Sequence, residues 1–232
     1  MAQRPIFIPN PEGPSLVRTV DVEFEWFPGL SVTQKQRSID ALHAAGRQAA
    51  GVADILEISS KSRAQLGVAL SAFNLGLRAP GRNDTTSVEC AFQGSKVFEN
   101  GGPYTDMLAM SSLDAKRDRR LRDSGRLVAF RFMNEDWPLE PRTAFYDWLF
   151  ITALMQHPER ASRLCAYSAF TDIEFNPARS INCQAYSAAL FVALHARGKL
   201  TASGLDRNAF LALLAAHPPV DRDADAGQPS LF

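Results

Sequence analysis

Histidine and cysteine, the side chains that most often bind transition metals or form cross-links, are scarce in this sequence. Its 232 residues include four histidines and three cysteines, with no Cys-x-x-Cys pair and no His-rich segment. Cys90, Cys165 and Cys183 each lie in an apolar stretch. This pattern argues against a disulfide framework and against a zinc site. It predicts core thiols in a reducing compartment.

Net charge and long apolar runs are missing as well. Basic and acidic side chains number 25 each, so a site for nucleic acid would require a local basic patch. Residues 1–13 contain no apolar core of a signal peptide, and no window approaches the ~18 apolar residues that a membrane span requires. The sequence therefore predicts a cytoplasmic protein without membrane contact.

The spacing of apolar residues predicts an α+β domain that is mostly helical and has a small β-sheet. Short β-branched segments predict strands at 4–9, 21–27, 55–59 and 128–132. Segments with helical spacing predict helices at 33–46, 61–73, 87–98, 111–125, 141–157, 158–167, 180–199 and 205–217. Because no linker divides the chain, we expect one domain over 1–217 and a disordered tail over 218–232.

Three polar side chains share one face of the predicted helix at 87–98, which is otherwise apolar. Steps of four and seven residues place Gln93 and Lys96 within about 40° of Glu89 around the helix axis. A carboxylate, an amide and an amine so arranged are suited to acid–base or nucleophilic chemistry. Two structural interpretations stay open: Glu89 can belong to a Thr-Ser-Val-Glu capping box that starts at Thr86, and Lys96 can be a solvated lysine.

Three further features carry candidate binding residues, and each has a structural alternative. Residues 100–104, Asn-Gly-Gly-Pro-Tyr, either end the helix in a turn or bring bare backbone close to a ligand's phosphates, with Tyr104 as a stacking lid. Residues 114–131 hold seven basic and three acidic side chains, which either form a solvated face or contact DNA phosphates. Trp137 and Tyr146 either belong to the core or stack on a base.

Several of these segments resemble the NADAR family. LSAFNL at 70–75, followed by SVECAFQGSKVF at 87–98, is similar to the family's Leu-Ser-Asn-Phe element and its Glu-x-x-aromatic-Gln-x-x-Lys helix. Later elements agree in type and order, namely 111–126, Trp137, 153–167 and 181–198. The resemblance therefore covers about residues 70–198.

One segment departs from the usual family pattern. FTDIEFNPARSINCQA at 170–185 stands where the family has Asp-x-x-Trp-Gly-x-Gly. This segment and the N-terminal extension RPIFIPNPEGPSLV at 4–17 are similar to the NADAR subgroup encoded beside DarT-type toxins, which ADP-ribosylate guanine in DNA. The resemblance thus implies an antitoxin that restores unmodified DNA.

The activity implied by the resemblance is that of an N-glycosidase that cleaves ADP-ribose from guanine without a metal or cofactor. Glu89 would stabilise an oxocarbenium-like transition state or activate water, and Lys96 would attack the anomeric carbon to form a Schiff base. The implied substrate-binding residues are Ser71, Phe73, Asn74, Gln93, Phe98, Asn100, Gly101, Gly102, Tyr104, Lys116, Arg117, Trp137, Asp172, Asn176 and Asn182. The implied contacts to DNA phosphate are Arg119, Arg120 and Arg122.

The partners expected from this activity are ADP-ribosylated DNA, the ADP-ribose product and a cognate DarT-type toxin. Three other functions stay open. The chain can be a glycosidase for a small phosphorylated N-glycoside, or a module that binds ADP-ribose without cleaving it. It can also be an antitoxin that blocks its toxin by direct contact, for which the apolar end at 230–232 is a candidate.

Overall fold

A computed structural model describes residues 1–78, 84–178, 180–201 and 204–218 of the chain. The strands are β1 (Ala2–Pro9), β2 (Val17–Phe24), β3 (Ile55–Glu57), β4 (Gly76–Arg78), β5 (Thr85–Ser87), β6 (Lys96–Phe98), β7 (Leu127–Phe132), β8 (Glu135–Trp137) and β9 (Ala169–Thr171). The helices are α1 (Val32–Ala50), α2 (Gln65–Ala69), α3 (Val88–Gly94), α4 (Ser112–Arg117), α5 (Arg120–Asp123), α6 (Ala144–Met155), α7 (Pro158–Leu164), α8 (Gln184–Ala196) and α9 (Arg207–Ala216), with a 3-10 helix at Thr105–Ala109.

The largest sheet has four strands in the order β2-β1-β9-β3. Strand β1 is antiparallel to β2 and β9, whereas β3 and β9 are parallel and place Glu57 opposite Thr171. Two smaller sheets pair β4 with β5 and order β6-β7-β8. Parallel pairing joins parts of the chain that are far apart in sequence, so β3 and β9 bring two distant polar segments together.

Helices α6 and α8 pack inside the larger of two hydrophobic cores. Both are apolar around most of their circumference, which is typical of helices buried on every side, and Leu149, Phe150 and Leu190 have no exposed surface. The smaller core lies between α1 and the β1–β2 hairpin and includes Ile6 and Leu42. The predicted α+β class, mostly helical with small sheets, is confirmed.

The bounds of the first helix differ from those predicted. The hydroxyl of Ser31, and not that of Thr33, accepts a hydrogen bond from the N–H of Gln34, and the helix continues to a left-handed Gly51. Gly46 lies inside α1 because a side chain there would collide with β1. A Cβ atom on Gly46 would lie 2.0 Å from Cδ1 of Ile6. A glycine inside a helix here serves close packing and does not end the helix.

Local hydrogen bonds shorten two other predicted helices. The 61–73 prediction reduces to α2, because the Ser71 hydroxyl bonds the carbonyl of Val68 and offers the backbone an alternative to a further turn. The 111–125 prediction divides at Asp118, whose carboxylate accepts from the N–H of Arg120. Strands of three residues, such as β4, β5, β8 and β9, carry too little periodicity to be predicted.

The predicted tail over 218–232 lies outside the described residues apart from Pro218, as does the candidate toxin contact at 230–232. The domain boundary at 217 therefore stays a prediction. Among the described helices, none combines the length and apolarity that a membrane crossing demands.

Candidate active site

Helix α3 directs Glu89 into a cavity and does not use it as a cap. Ser87 is the N-cap residue, and its hydroxyl accepts from the N–H of Cys90 at 3.0 Å. The capping box from Thr86 to Glu89 is therefore wrong. Glu89 is 6% exposed, and its Oε1 accepts a hydrogen bond of 2.9 Å from Nε2 of Gln93, one turn further along.

Lys96 lies close to Glu89 and Gln93, although it is not on their helix. The helix ends at Gly94, and the carbonyl of Ser95 then accepts from the N–H of Arg131 at 2.7 Å, which starts the pairing of β6 with β7. The prediction of a single helix from 87 to 98 is thus wrong for its last residues. The predicted proximity is nevertheless present, because all three side chains line one cavity.

This cavity has a volume of about 570 Å³. Helix α3 forms one wall, and residues 59–61, α4 and residues within 172–175 and 180–184 form others. Of the predicted substrate-binding residues, those that line the cavity beside Gln93 are Ser71, Phe73, Lys116, Arg117, Asp172 and Asn182. Segments separated by more than 100 residues in sequence therefore meet around Glu89 and Lys96.

The Lys96 amine is buried beside both an aromatic ring and a carboxylate. The side chain is 2% exposed, and Nζ lies 5.0 Å from the centroid of the Phe92 ring. Burial lowers the pKa of Lys96 to about 8, although the charge of Glu89 opposes the shift; the charge of Lys116 adds to it. The lowered pKa gives Lys96 a far larger neutral fraction near neutrality than an ordinary lysine has, and the neutral amine is the form that acts as a nucleophile.

The mouth of the cavity is positively charged. Lys116 and Arg117 are exposed at the end of α4. Nζ of Lys116 lies 4.0 Å from Oε1 of Glu89 and 5.2 Å from the centroid of the Phe73 ring. A ligand that enters the cavity passes these two cations, which would favour an anionic group at that position.

Two buried oxygen acceptors in the cavity have no donor among the described residues. They are Oε1 of Gln93 and Oδ1 of Asn182. A buried acceptor without a partner costs about 1–3 kcal/mol and is uncommon in native structures. Gln93 and Asn182 therefore each retain an unused acceptor, which a turn of the side chain amide towards the cavity would offer to a hydroxyl group of a ligand.

Asp172 contributes a second carboxyl group to the cavity from the segment that departs from the family pattern. It is 8% exposed, and its Oδ1 accepts from the N–H of Glu174 at 3.0 Å. Burial, and then the nearby charge of Glu57, raise the pKa of Asp172 to about 8. This carboxyl group is therefore largely protonated at neutral pH.

Residues 100–104 do not line the cavity, so the structure gives no support to the role predicted for them at a ligand's phosphates. The Tyr104 hydroxyl is bonded to Ser124, and a Cβ atom on Gly102 would lie 2.2 Å from the carbonyl oxygen of Lys96. The glycine thus serves a close backbone approach beneath Lys96. Phe98 is 3% exposed and packs on the ring of Tyr104.

Trp137, Asn74 and Asn176 are also absent from the cavity wall. Trp137 is 1% exposed and packs against Phe145 in the core. Nδ2 of Asn74 donates to the carbonyl of Val68, and Oδ1 of Asn176 accepts from a backbone N–H two residues later. The contacts of these three predicted binding residues are therefore core packing and local hydrogen bonds, not contacts within the cavity.

Acidic neighbours neutralise much of the basic segment at 114–131. The Arg120 guanidinium pairs with Asp106 and Asp118 and stacks on the ring of Tyr104. Arg119 lies 3.9 Å from Asp123, and the later arginines of the segment pair with acidic partners of their own. Arg122 is exposed. Of the three arginines predicted to contact DNA, namely Arg119, Arg120 and Arg122, Arg120 would lose the most on binding phosphate. It would have to give up its ion pairs with Asp106 and Asp118.

Sequence patterns missed several residues of the cavity wall. Lys61 and Gln184 belong to no sequence motif. For Tyr146 the sequence left two interpretations open, a core residue or a residue that stacks on a base. Tyr146 lines the cavity from α6, is 7% exposed and packs edge-on against Phe92 with centroids 5.2 Å apart. The apolar sequence of α6 gave no sign that Tyr146 lines a cavity, because a tyrosine on a buried helix is usually a core residue.

Replacing Gly102 with alanine is expected to destabilise the protein. Gly102 has a φ of 84°, which costs other residues about 1–2 kcal/mol, and the new Cβ atom would collide with the backbone of β6. Thermal unfolding should therefore show a clearly lower Tm than that of the wild type. Gly51→Ala is the matched control, because Gly51 also has positive φ but open space around it. An equal fall for both variants would contradict the close approach to Lys96.

Comparison with known proteins identifies the family of the chain. A family model described as the DarT1-associated NADAR antitoxin matches residues 2–223. The match extends well beyond the motifs at 70–198 and includes the β1–β2 hairpin and the segment around Asp172. No curated protein matches the chain. The chain belongs to the family of DarT1-associated NADAR antitoxins.

Proposed function

We propose that this antitoxin is an N-glycosidase that removes ADP-ribose from guanine bases in DNA. The observation that carries the proposal is the meeting of Glu89, Gln93 and Lys96 in one buried cavity behind a cationic mouth. Membership of the family supports the antitoxin role. The cavity supports a reaction at a sugar carbon, since it offers a carboxylate and an amine of lowered pKa side by side.

The chemistry of the cavity suits ADP-ribose. Its volume of about 570 Å³ lies within the range of small-molecule sites. Lys116 and Arg117 would bind the pyrophosphate, because cations at a cavity mouth favour anionic groups. Gln93 and Asn182 would accept hydrogen bonds from ribose hydroxyls, which would satisfy the two unpaired oxygens.

Two routes can cleave the bond between the ribose and guanine. In the first, Glu89 takes a proton from a water molecule as the water oxygen bonds to the anomeric carbon, which carries oxocarbenium character. In the second, neutral Lys96 bonds to the anomeric carbon, the sugar opens to a Schiff base, and water then releases ADP-ribose. In both routes the electrons of the cleaved bond go to the guanine nitrogen, which gains a proton.

The DNA would lie across the outer face of α4 and α5. Arg119 and Arg122 are exposed there and continue the cationic surface that begins at Lys116. Phosphate contacts of this kind add affinity without reading sequence. We keep Arg120 in this set as a weaker candidate, because binding phosphate would require it to leave Asp106 and Asp118.

Replacing Arg119 and Arg122 with alanine is expected to weaken binding to ADP-ribosylated DNA. Each lost phosphate contact should reduce the slope of log affinity against log salt concentration by about 1. Cleavage of ADP-ribosyl-guanosine should stay within twofold of the wild type, since this substrate has no neighbouring DNA phosphates. Arg142→Ala, which removes a half-exposed arginine elsewhere, is the control. Equal losses on both substrates would contradict a DNA-binding face.

A comparison of substrates tests the proposed function against its alternatives. Purified protein is incubated with an ADP-ribosylated oligonucleotide, with ADP-ribosyl-guanosine and with phosphorylated N-glycosides, and released sugar is measured by chromatography. We expect turnover of the first two substrates. Cleavage of the small glycosides alone would favour the metabolite enzyme. Stoichiometric binding of ADP-ribose without turnover would favour a binding module, and inhibition of the toxin by inactive Glu89→Gln protein would favour a direct block.

A further inference from the structure

Glu57 is a buried carboxylate that the two routes above do not use. It ends β3, is 2% exposed and lies opposite Thr171 across the parallel strand pair. Its Oε2 accepts from the Thr171 hydroxyl at 2.7 Å, and its Oε1 accepts from the N–H of Ile173 at 2.8 Å. Glu57 therefore binds the residues on both sides of Asp172, which lines the cavity: the side chain of Thr171 and the backbone of Ile173.

The hydrogen bonds around Glu57 favour its charged form. The Thr171 hydroxyl, the Ile173 N–H and the Ser59 hydroxyl all donate to this carboxylate, and donors to a carboxylate stabilise the anion. The Thr171 hydroxyl donates its single proton to Glu57. Its oxygen must therefore accept the hydrogen bond from Nε2 of His43, which lies 2.8 Å away. His43 is thus the neutral tautomer with its proton on Nε2, in keeping with burial that lowers the pKa of His43 to about 4.

Asp172 is the other half of a carboxyl pair. Burial raises the pKa of both groups, and the charge of Glu57 adds to the shift of Asp172, whose pKa is raised to about 8, so Asp172 keeps its proton at neutral pH. Asp172 has fewer donors than Glu57: the N–H of Glu174 and the amide of Gln184. The proton therefore belongs on Asp172, which faces the cavity, and the charge belongs on Glu57 behind it.

We propose that Asp172 donates its proton to the guanine leaving group and that Glu57 is the positioning residue that keeps this proton on Asp172. The inference rests on the proposed glycosidase activity and assigns the acid that the reaction requires. Neither Glu89 as a base nor Lys96 as a nucleophile supplies a proton to the departing nitrogen.

The proton transfer balances with the water route. The bond between the anomeric carbon and the guanine nitrogen breaks, its electron pair goes to the nitrogen, and the Asp172 proton bonds there. Water gives its hydroxyl to the anomeric carbon and its proton to Glu89. Asp172 then regains a proton from solvent and Glu89 releases one, so one water molecule is consumed in each cycle.

Other charged and titratable groups surround the pair. They are Arg4 on β1, Lys35, Asp40, His43 and Arg47 on α1, Tyr146 on α6, Glu174, and Cys183 before α8. The Arg4 cation favours ionised Asp172, whereas the Glu174 charge opposes ionisation and is itself paired with Lys35 at 3.3 Å. Apart from burial, Glu57 is the largest influence that keeps Asp172 protonated.

The dependence of kcat/KM on pH tests this assignment. The wild type should lose activity as the pH rises through about 8, where Asp172 loses its proton. Glu57→Gln removes the neighbouring charge, so its alkaline limb should move to lower pH by about one pH unit or more. Activity at pH 8 should then fall at least about fivefold relative to wild type, with little change at pH 6. Thr171→Val, which removes one donor to Glu57, should shift the limb in the same direction by less.

Infrared spectroscopy gives a readout that does not depend on turnover. At pH 7 the wild type should show a protonated carboxyl signal with one part that Asp172→Asn removes and Glu57→Gln weakens, and another part from Asp147, whose pKa burial raises to about 7, that both variants retain. His195→Gln, at an exposed histidine on α8, is the control and should change neither readout. Suppose that the wild type cleaves the substrate, but Glu57→Gln has the same alkaline limb in its pH profile and the same carboxyl band as the wild type. This result would overturn the role of Glu57 and Asp172 and leave the proposed function intact. If the folded wild type does not cleave the substrate, the proposed function is overturned instead. If Glu57→Gln does not fold, Thr171→Val takes its place in both measurements.

Discussion

Replacing Glu89 with glutamine is expected to reduce turnover of ADP-ribosyl-guanine by at least ~100-fold, the lower range for a group that transfers a proton. Glutamine has nearly the same size and still hydrogen-bonds, but it takes no proton and carries no charge to stabilise an oxocarbenium-like transition state. Single-turnover kinetics with saturating protein measure the effect on the chemical step directly. The Tm should stay almost unchanged, because Ser87 and not Glu89 caps α3.

Glu159→Gln is the matched control for this substitution. Glu159 also lies in the first turn of a short helix, α7, but it is exposed and remote from the cavity. Any effect of losing a first-turn carboxylate on helix stability is therefore common to both variants. Full activity of Glu89→Gln would contradict its role in the reaction, whereas equal activity losses in both variants would indicate a stability effect.

Replacing Lys96 with alanine or methionine is expected to lower turnover by at least ~100-fold as well. Methionine retains most of the apolar stem that packs on Phe92, so it isolates the loss of the amine. If the Schiff-base route operates, borohydride added during turnover should leave a covalent ADP-ribose adduct on Lys96. Peptide mapping by mass spectrometry separates this adduct from one on Lys116 at the mouth.

The trapping yield should depend on pH. Lys96 has a pKa of about 8, so the amine is mostly protonated at pH 7 and mostly neutral above pH 8. The nucleophilic form therefore increases as the pH rises, and trapped adduct per turnover should increase with it. If no adduct forms while both Lys96 variants stay inactive, Lys96 is a binding residue and Glu89-assisted attack by water is the remaining route.

The sequence predicted those side-chain contacts that depend on a single helix turn. Glu89 and Gln93 are four residues apart, and helical spacing alone predicted their contact. The helix was placed correctly even though its end was not. Lys96 reached the same cavity from a strand, because pairing with β7 competes with a further helical turn and no local pattern indicates that competition.

The missed features depend on contacts between distant segments. Glu57 and Asp172 meet only because β3 and β9 pair in parallel, and neither segment carries a motif for that pairing. Trp137 and Gly102 were assigned to substrate by resemblance. Burial in the aromatic core and a close backbone approach to Lys96 explain these two residues without a ligand.

The mass of an ADP-ribosylated oligonucleotide, measured before and after incubation with the protein, tests the central claim most directly. We expect the wild type to return the strand to its unmodified mass and to release one equivalent of ADP-ribose, with guanine left in the DNA. Glu89→Gln should leave the modified mass unchanged over the same period. A wild type that leaves the modified strand intact, or that leaves an abasic strand, would contradict the account.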